Sequence, residues 1–170
     1  MNTFTSVIAA IAVTTLSVVS SSQATIQPLE PIPEPTMQPM KVITLNDRLS
    51  NADIDTRRKL VYEKVSDVAK VHGVNPDVVY GTIAKCENKA LEPKLQSGHL
   101  YKFSDSRRGI VLGQQEKSFG LAMIHLPDHP TITYEQATDS EFAIEWMVKE
   151  FAQGRQNQWT CYKILYGQSK

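Results

Sequence analysis

No charged residue occurs among the first 24 positions of this 170-residue chain, and beyond them 18 basic residues balance 18 acidic ones. That neutrality excludes the basic footprint of a nucleic-acid-binding protein, and leaves no excess charge to steer a charged partner over long range. Two short basic clusters, Arg57-Arg58-Lys59 and Arg107-Arg108, stand between neutral flanks and are expected as solvated faces. Long apolar runs are absent too. The stretch Val7 to Val19 has 13 residues without a charge, where a bilayer-crossing helix needs about 20. Internal repeats are absent. Histidine is scarce, with four in all. His125 and His129 stand four apart, but Pro127 and Pro130 are interleaved with them and break the helical His-x-x-x-His arrangement. A zinc site drawing also on His99 or Cys161 needs four separate ligands, so neither a metal nor any other cofactor is assigned.

What is present at the start reads as an export leader. Met1 to Ser6 and the apolar run are followed by Ser20-Ser-Ser-Gln-Ala24, where Ser22 and Ala24 satisfy the small-residue rule for cleavage. Residues 1–24 are therefore expected as a signal peptide, placing the protein in the periplasm, the cell envelope or outside the cell. The leader lacks Lys and Arg before its apolar run, so an uncleaved membrane anchor is the alternative. Residues 25–45 follow as a Pro-rich linker: five of the nine prolines, Pro28, Pro31, Pro33, Pro35 and Pro39, fall between positions 25 and 40. Such a segment favours polyproline II, and 16 residues reach roughly 50 Å at about 3.1 Å each. Residues 46–170 remain to build one domain.

That domain reads as mainly α with at most a small β-hairpin. From Asp53 to Val71 the apolar Leu60, Val61, Val65, Val68 and Ala69 recur at helical spacing, and Gly73 supplies the left-handed stop. Asn75-Pro76 restarts a helix, with Asn as cap, Pro at the first helical position and Asp77 at the positive end. Residues 90–117 read as a polar loop broken by Gly98, Gly109 and Gly113. Helix is not expected beyond Leu126, ahead of Pro127 and Pro130. A long helix follows Thr133 or Asp139, with Phe142, Trp146, Met147 and Phe151 on its apolar side and Gly154 as its stop. The last helix, Gln158 to Tyr166, carries Trp159, Cys161, Ile164 and Leu165.

Glu87 is the residue out of place. Val79, Ile83 and Glu87 are spaced by four, which puts a carboxylate on a buried stripe, where desolvation disfavours its ionised form. The alternative is a Glu fanning out to water at a helix end. The residue before it, Cys86, is one of two cysteines; in an exported chain, a disulfide with Cys161 is favoured over two thiols. A cysteine nucleophile would need a histidine and an orienting partner that nothing local marks.

Taken together, Ala84-Lys-Cys-Glu-Asn-Lys-Ala-Leu-Glu-Pro93, Lys117-Ser-Phe-Gly-Leu-Ala-Met-Ile124, the long helix and Trp159-Thr-Cys-Tyr162 resemble the soluble lytic transglycosylase domain of the lysozyme-like superfamily, over about residues 60 to 165. The turn His72-Gly73-Val74-Asn75-Pro76, opening a helix that ends at Glu87, matches the family's entry to its catalytic glutamate. The resemblance implies a lysozyme-like α+β domain that works as a monomer on peptidoglycan glycan strands, cutting the bond between N-acetylmuramic acid and N-acetylglucosamine. It implies Glu87 as the catalytic acid and base, and Asn88, Ser118, Gly120, Leu121, Met123 and Tyr162 around the substrate. Two positions depart from the pattern: Asn88 stands where the family has Ser, and Met123 where it has Gln. The resemblance also implies a single-carboxylate mechanism ending in a 1,6-anhydro sugar, for Asp105, Asp128 and Asp139 all sit in segments read as turns or caps. A hydrolytic lysozyme and an inactive glycan-binding or assembly module are the alternatives.

Overall fold

The computed structural model describes residues 42–167; the expected signal peptide and most of the Pro-rich segment lie outside the described residues. Helix begins earlier than the sequence suggests. Thr44 caps α1 (Leu45–Ser50) through a reciprocal pair with Asp47, and Leu45 and Leu49 turn inward. The domain boundary expected at residue 46 is thus corrected: position 45 already belongs to the core. Asn46 then fastens α1 to the far end of the chain, donating to the Thr138 carbonyl at 2.8 Å and accepting from the Ser140 N–H at 2.8 Å.

The longest helix, α2 (Ile54–His72), starts at Asp53, whose carboxylate accepts the Thr56 N–H, and stops at Gly73 in the left-handed conformation. Leu60, Val61, Val65 and Ala69 are buried, as their spacing requires. Next comes α3 (Pro76–Thr82), capped by Asn75 with Pro76 in its first turn. After the polar excursion of residues 90–117, a minimal antiparallel pair forms between β1 (Ser118–Phe119) and β2 (Ile124–His125), with Ser118 opposite His125. The chain finishes with α4 (Tyr134–Ala137), α5 (Ser140–Ala152) and α6 (Thr160–Tyr166). The core lies where α2 meets α5 and α3, filled by Val61, Val65, Val79, Ile83, Ile144, Met147 and Val148.

The long helix takes the later of its two expected starts: Asp139 caps α5, while Thr133 caps the separate short α4, which ends at Thr138. Two expectations change in detail. A single 3₁₀ turn, Leu126–Asp128, continues where no helix is expected; such a turn tolerates Pro127 in its first positions, where no backbone N–H is needed. In α6 the apolar Ile164 and Leu165 face solvent, and only Cys161 is buried.

The basic clusters are not simply solvated. Arg57 donates to the carbonyls of Leu49, Ala52 and Ala90 and pairs with Glu92, so it ties the α1–α2 turn to the loop behind Glu87. Arg108 bridges Asp105 and Asp128, which clips the polar excursion to the 3₁₀ turn.

Candidate functional site

Past Thr82 the helix widens. Residues Ile83–Glu87 form a π turn, in which the Asn88 N–H reaches back five residues to the Ile83 carbonyl at 2.9 Å. This extra residue corrects the stripe read from the sequence. The wholly buried line runs Val79, Ile83, Asn88, while Glu87 is displaced to the half-buried rim. Wide turns of this kind are frequent at functional positions of α-helices.

Glu87 is still largely dry. Burial pushes its carboxyl up from 4.5 to about 7, against a backbone hydrogen bond from Cys161 that acts downward, and the negative charge of Glu116 adds to the rise. The Cys161 N–H meets Oε1 at 3.4 Å. Cys161 also forms the disulfide with Cys86, with Cα atoms 5.6 Å apart, well inside the range such a bond spans. The bond therefore joins the residue preceding Glu87 to the residue that donates to its carboxylate.

The family resemblance puts Asn88 against substrate. In the structure it is buried and committed to its own chain: its amide donates to the carbonyls of Glu92 and Gly120 at 2.8 and 3.1 Å, and its oxygen accepts from the Glu92 N–H at 3.1 Å. This clamp holds the segment after Glu87 against the β1–β2 turn. Replacing Asn88 with Ala leaves those groups without partners in the interior; at about 1–3 kcal/mol for each buried group left unpaired, we expect a loss of at least about 2 kcal/mol in stability, read as a lower denaturant midpoint at unchanged slope.

The second motif serves the fold first. Leu121 is core, and Ser118 is nearly closed off from solvent. Gly120 has φ +78°, and a Cβ there would lie 1.9 Å from the Ala137 carbonyl oxygen, so both backbone conformation and space require glycine. Met123 also takes a left-handed conformation, with φ +45°, and is half-buried. A side chain with a Cβ adopts it only where the surroundings impose it. Tyr162 packs edge-on against Phe151 and lines a depression of about 240 Å³ with His72, Val78 and Phe151; Glu87 is not among its walls. The structure thus gathers Glu87, Asn88, Gly120, Cys86 and Cys161, and gives Tyr162 to the depression beside Phe151.

Sequence patterning leaves two partners of the site unmarked. Trp159 donates its indole N–H to the Ala122 carbonyl at 2.8 Å, pinning the β1–β2 turn to the start of α6. Glu116, whose charge adds to the rise at Glu87, accepts the Ser97 hydroxyl at 3.1 Å. Two histidines are occupied within the fold: His125 contacts Asp128 at 2.7 Å through Nδ1 and Tyr101 at 2.9 Å through Nε2, while His129 packs on Trp146.

No family model matches this chain, nor does any curated protein or solved structure.

Proposed function

We propose that this protein is an exported, peptidoglycan-cleaving lytic transglycosylase with a lysozyme-like domain, in which Glu87 serves first as acid and then as base. The observation that carries the reading is a carboxyl group raised to about 7 at the rim of the fold. Near neutral pH a good fraction of it keeps its proton, as donation to a glycosidic oxygen requires, and its conjugate base is strong enough to take a proton back. Glu87 would protonate the oxygen of the bond following N-acetylmuramic acid. The C1–O bond then breaks, its electron pair leaving on that oxygen, while the substrate's N-acetyl group supports the cationic carbon. The C6 hydroxyl of the same sugar adds to C1 and its proton returns to Glu87, giving a 1,6-anhydro product without consuming water.

The Cys86–Cys161 bond supports the exported placement, since disulfides persist in oxidising compartments. The mainly helical architecture, with one two-stranded sheet among the described residues, supports the lysozyme-like reading.

The test is mass spectrometry of purified peptidoglycan treated with the full-length protein, wild type beside Glu87→Gln. Anhydro-muropeptides from wild type alone are the expected result. Reducing-end products would instead assign hydrolysis, and no products from wild type would leave a glycan-binding module.

A further inference from the structure

Between positions 100 and 112 the polar excursion turns four large apolar side chains to solvent: Leu100, Phe103, Val111 and Leu112 are 57%, 50%, 48% and 62% exposed. The same stretch carries Lys102, Arg107 and Arg108, all exposed. Apolar side chains scattered singly over a surface need no explanation, but several gathered on one element mark a surface that meets something.

The excursion is braced, so these side chains are held in place. Its two limbs pair through the Tyr101 N–H on the Gln114 carbonyl at 2.8 Å, the Gly113 N–H on the Tyr101 carbonyl at 2.9 Å and a reciprocal pair between Asp105 and Ile110 at 2.9 Å. The Leu112 N–H donates to the Ser104 hydroxyl at 3.0 Å, which seats Leu112 against the residue that follows Phe103. Tyr101 and Ile110 are buried and root the limbs; the Tyr101 hydroxyl accepts the Lys117 N–H at 3.0 Å and meets His125. Arg108 lies over the Phe103 ring, 5.6 Å from its centre, while it bridges Asp105 and Asp128.

Charge is uneven here although the whole chain is neutral. Over residues 98–117 the basic Lys102, Arg107, Arg108 and Lys117 outnumber the acidic Asp105 and Glu116. Both acids are committed, Asp105 to Arg108 and Glu116 to the Ser97 hydroxyl. The side chains of Lys102 and Arg107 form no ion pair among the described residues. Apolar groups interleaved with unpaired cations fit the boundary of an anionic bilayer, where the apolar side chains enter the acyl edge and the cations stay at the phosphates. A second copy docking through the same surface would instead bring these cations toward their own counterparts. We propose that the tip of the excursion, residues 100–112, is a membrane-contacting surface that partitions into the headgroup region of an anionic bilayer. The inference is independent of the cleavage reading above.

The test places an indole in the tip with Phe103→Trp in the full-length, disulfide-bonded protein. Its emission, less that of wild type, is read against vesicles of brominated phosphatidylcholine mixed with phosphatidylglycerol, and against vesicles of the phosphatidylcholine alone. This signal reports the excursion itself, whatever residues 1–24 do. We expect a blue shift and bromine quenching on the anionic vesicles only, both reversed by high salt. Adding Lys102→Ser and Arg107→Ser should raise the lipid concentration for half the shift about 30-fold, at about fivefold for each lost cation, with the melting temperature unchanged because both side chains are exposed. An indole that stays in water beside anionic vesicles overturns the proposal, even where the protein sediments with them, and an equal shift on both kinds of vesicle overturns the role of the cations. A shift that grows with protein concentration in the absence of lipid, or that appears only with soluble peptidoglycan fragments, overturns it in favour of a second copy or of glycan.

Discussion

Glu87→Gln should cut peptidoglycan about a thousandfold more slowly than wild type, the scale expected when a positioned proton donor is removed. In wild type the rate should fall with rising pH above about 7, because only the protonated carboxyl can serve the leaving oxygen. The same acidity leaves a mark on stability that needs no substrate. A carboxyl raised from 4.5 to about 7 binds its proton more tightly in the folded chain than in the unfolded one. Its stabilising effect is complete below about 4.5 and is lost as pH rises through 7. Glutamine carries no such liability. Glu87→Gln should therefore match wild type in thermal stability at pH 4 and exceed it at pH 8 by up to about 3 kcal/mol, since each pH unit between the folded and unfolded midpoints is worth about 1.36 kcal/mol. Equal melting curves at pH 8, together with a flat rate profile through 7, would remove the case for Glu87 as a dry acid.

The second large effect belongs to the disulfide. Replacing Cys86 and Cys161 together with Ser opens a closure across 75 positions, for which the chain-entropy account gives about 4 kcal/mol. The loss should appear in the denaturant midpoint of the double variant, and in wild type treated with reductant. A local effect should accompany it. Burial is the largest cause of the raised Glu87 carboxyl, and freeing the π turn from α6 admits water, so its midpoint should move down toward 4.5. An unchanged Glu87 titration in the double variant would show that the carboxyl stays dry without the disulfide.

Much of this architecture is legible because some segments carry strong local signals. The α2 stripe of Leu60, Val61, Val65 and Ala69 extends over several turns and ends at Gly73, and Asn75-Pro76 announces α3 by residue type alone. The Cys86–Cys161 pairing follows from count and compartment. By contrast, α1 is six residues long and buries only Leu45 and Leu49, too few for a periodic pattern. The strands Ser118–Phe119 and Ile124–His125 are two residues each, below the length at which alternation can be read. The π turn has no sequence signature, since its five-residue hydrogen bond uses backbone atoms that every residue supplies. That one turn decides which of two neighbours, Glu87 or Asn88, enters the interior. Glu116 is unmarked for a similar reason: its place depends on hydrogen bonds with Gln96, Ser97 and His99 across the polar excursion, which no local pattern announces.

The attachment of α1 has a bearing on how the chain matures. Asn46 finds its partners 92 and 94 positions later, and Cys86 finds its own 75 positions later. A chain that emerges N-terminus first can complete neither until nearly all of it is present, and closures between such distant positions slow folding. α1 is thus made well before its partners and is among the last elements secured. If the protein is exported as proposed, such an order of events would keep the polypeptide open during passage through a narrow translocation channel and delay the burial of Glu87 until its disulfide can form.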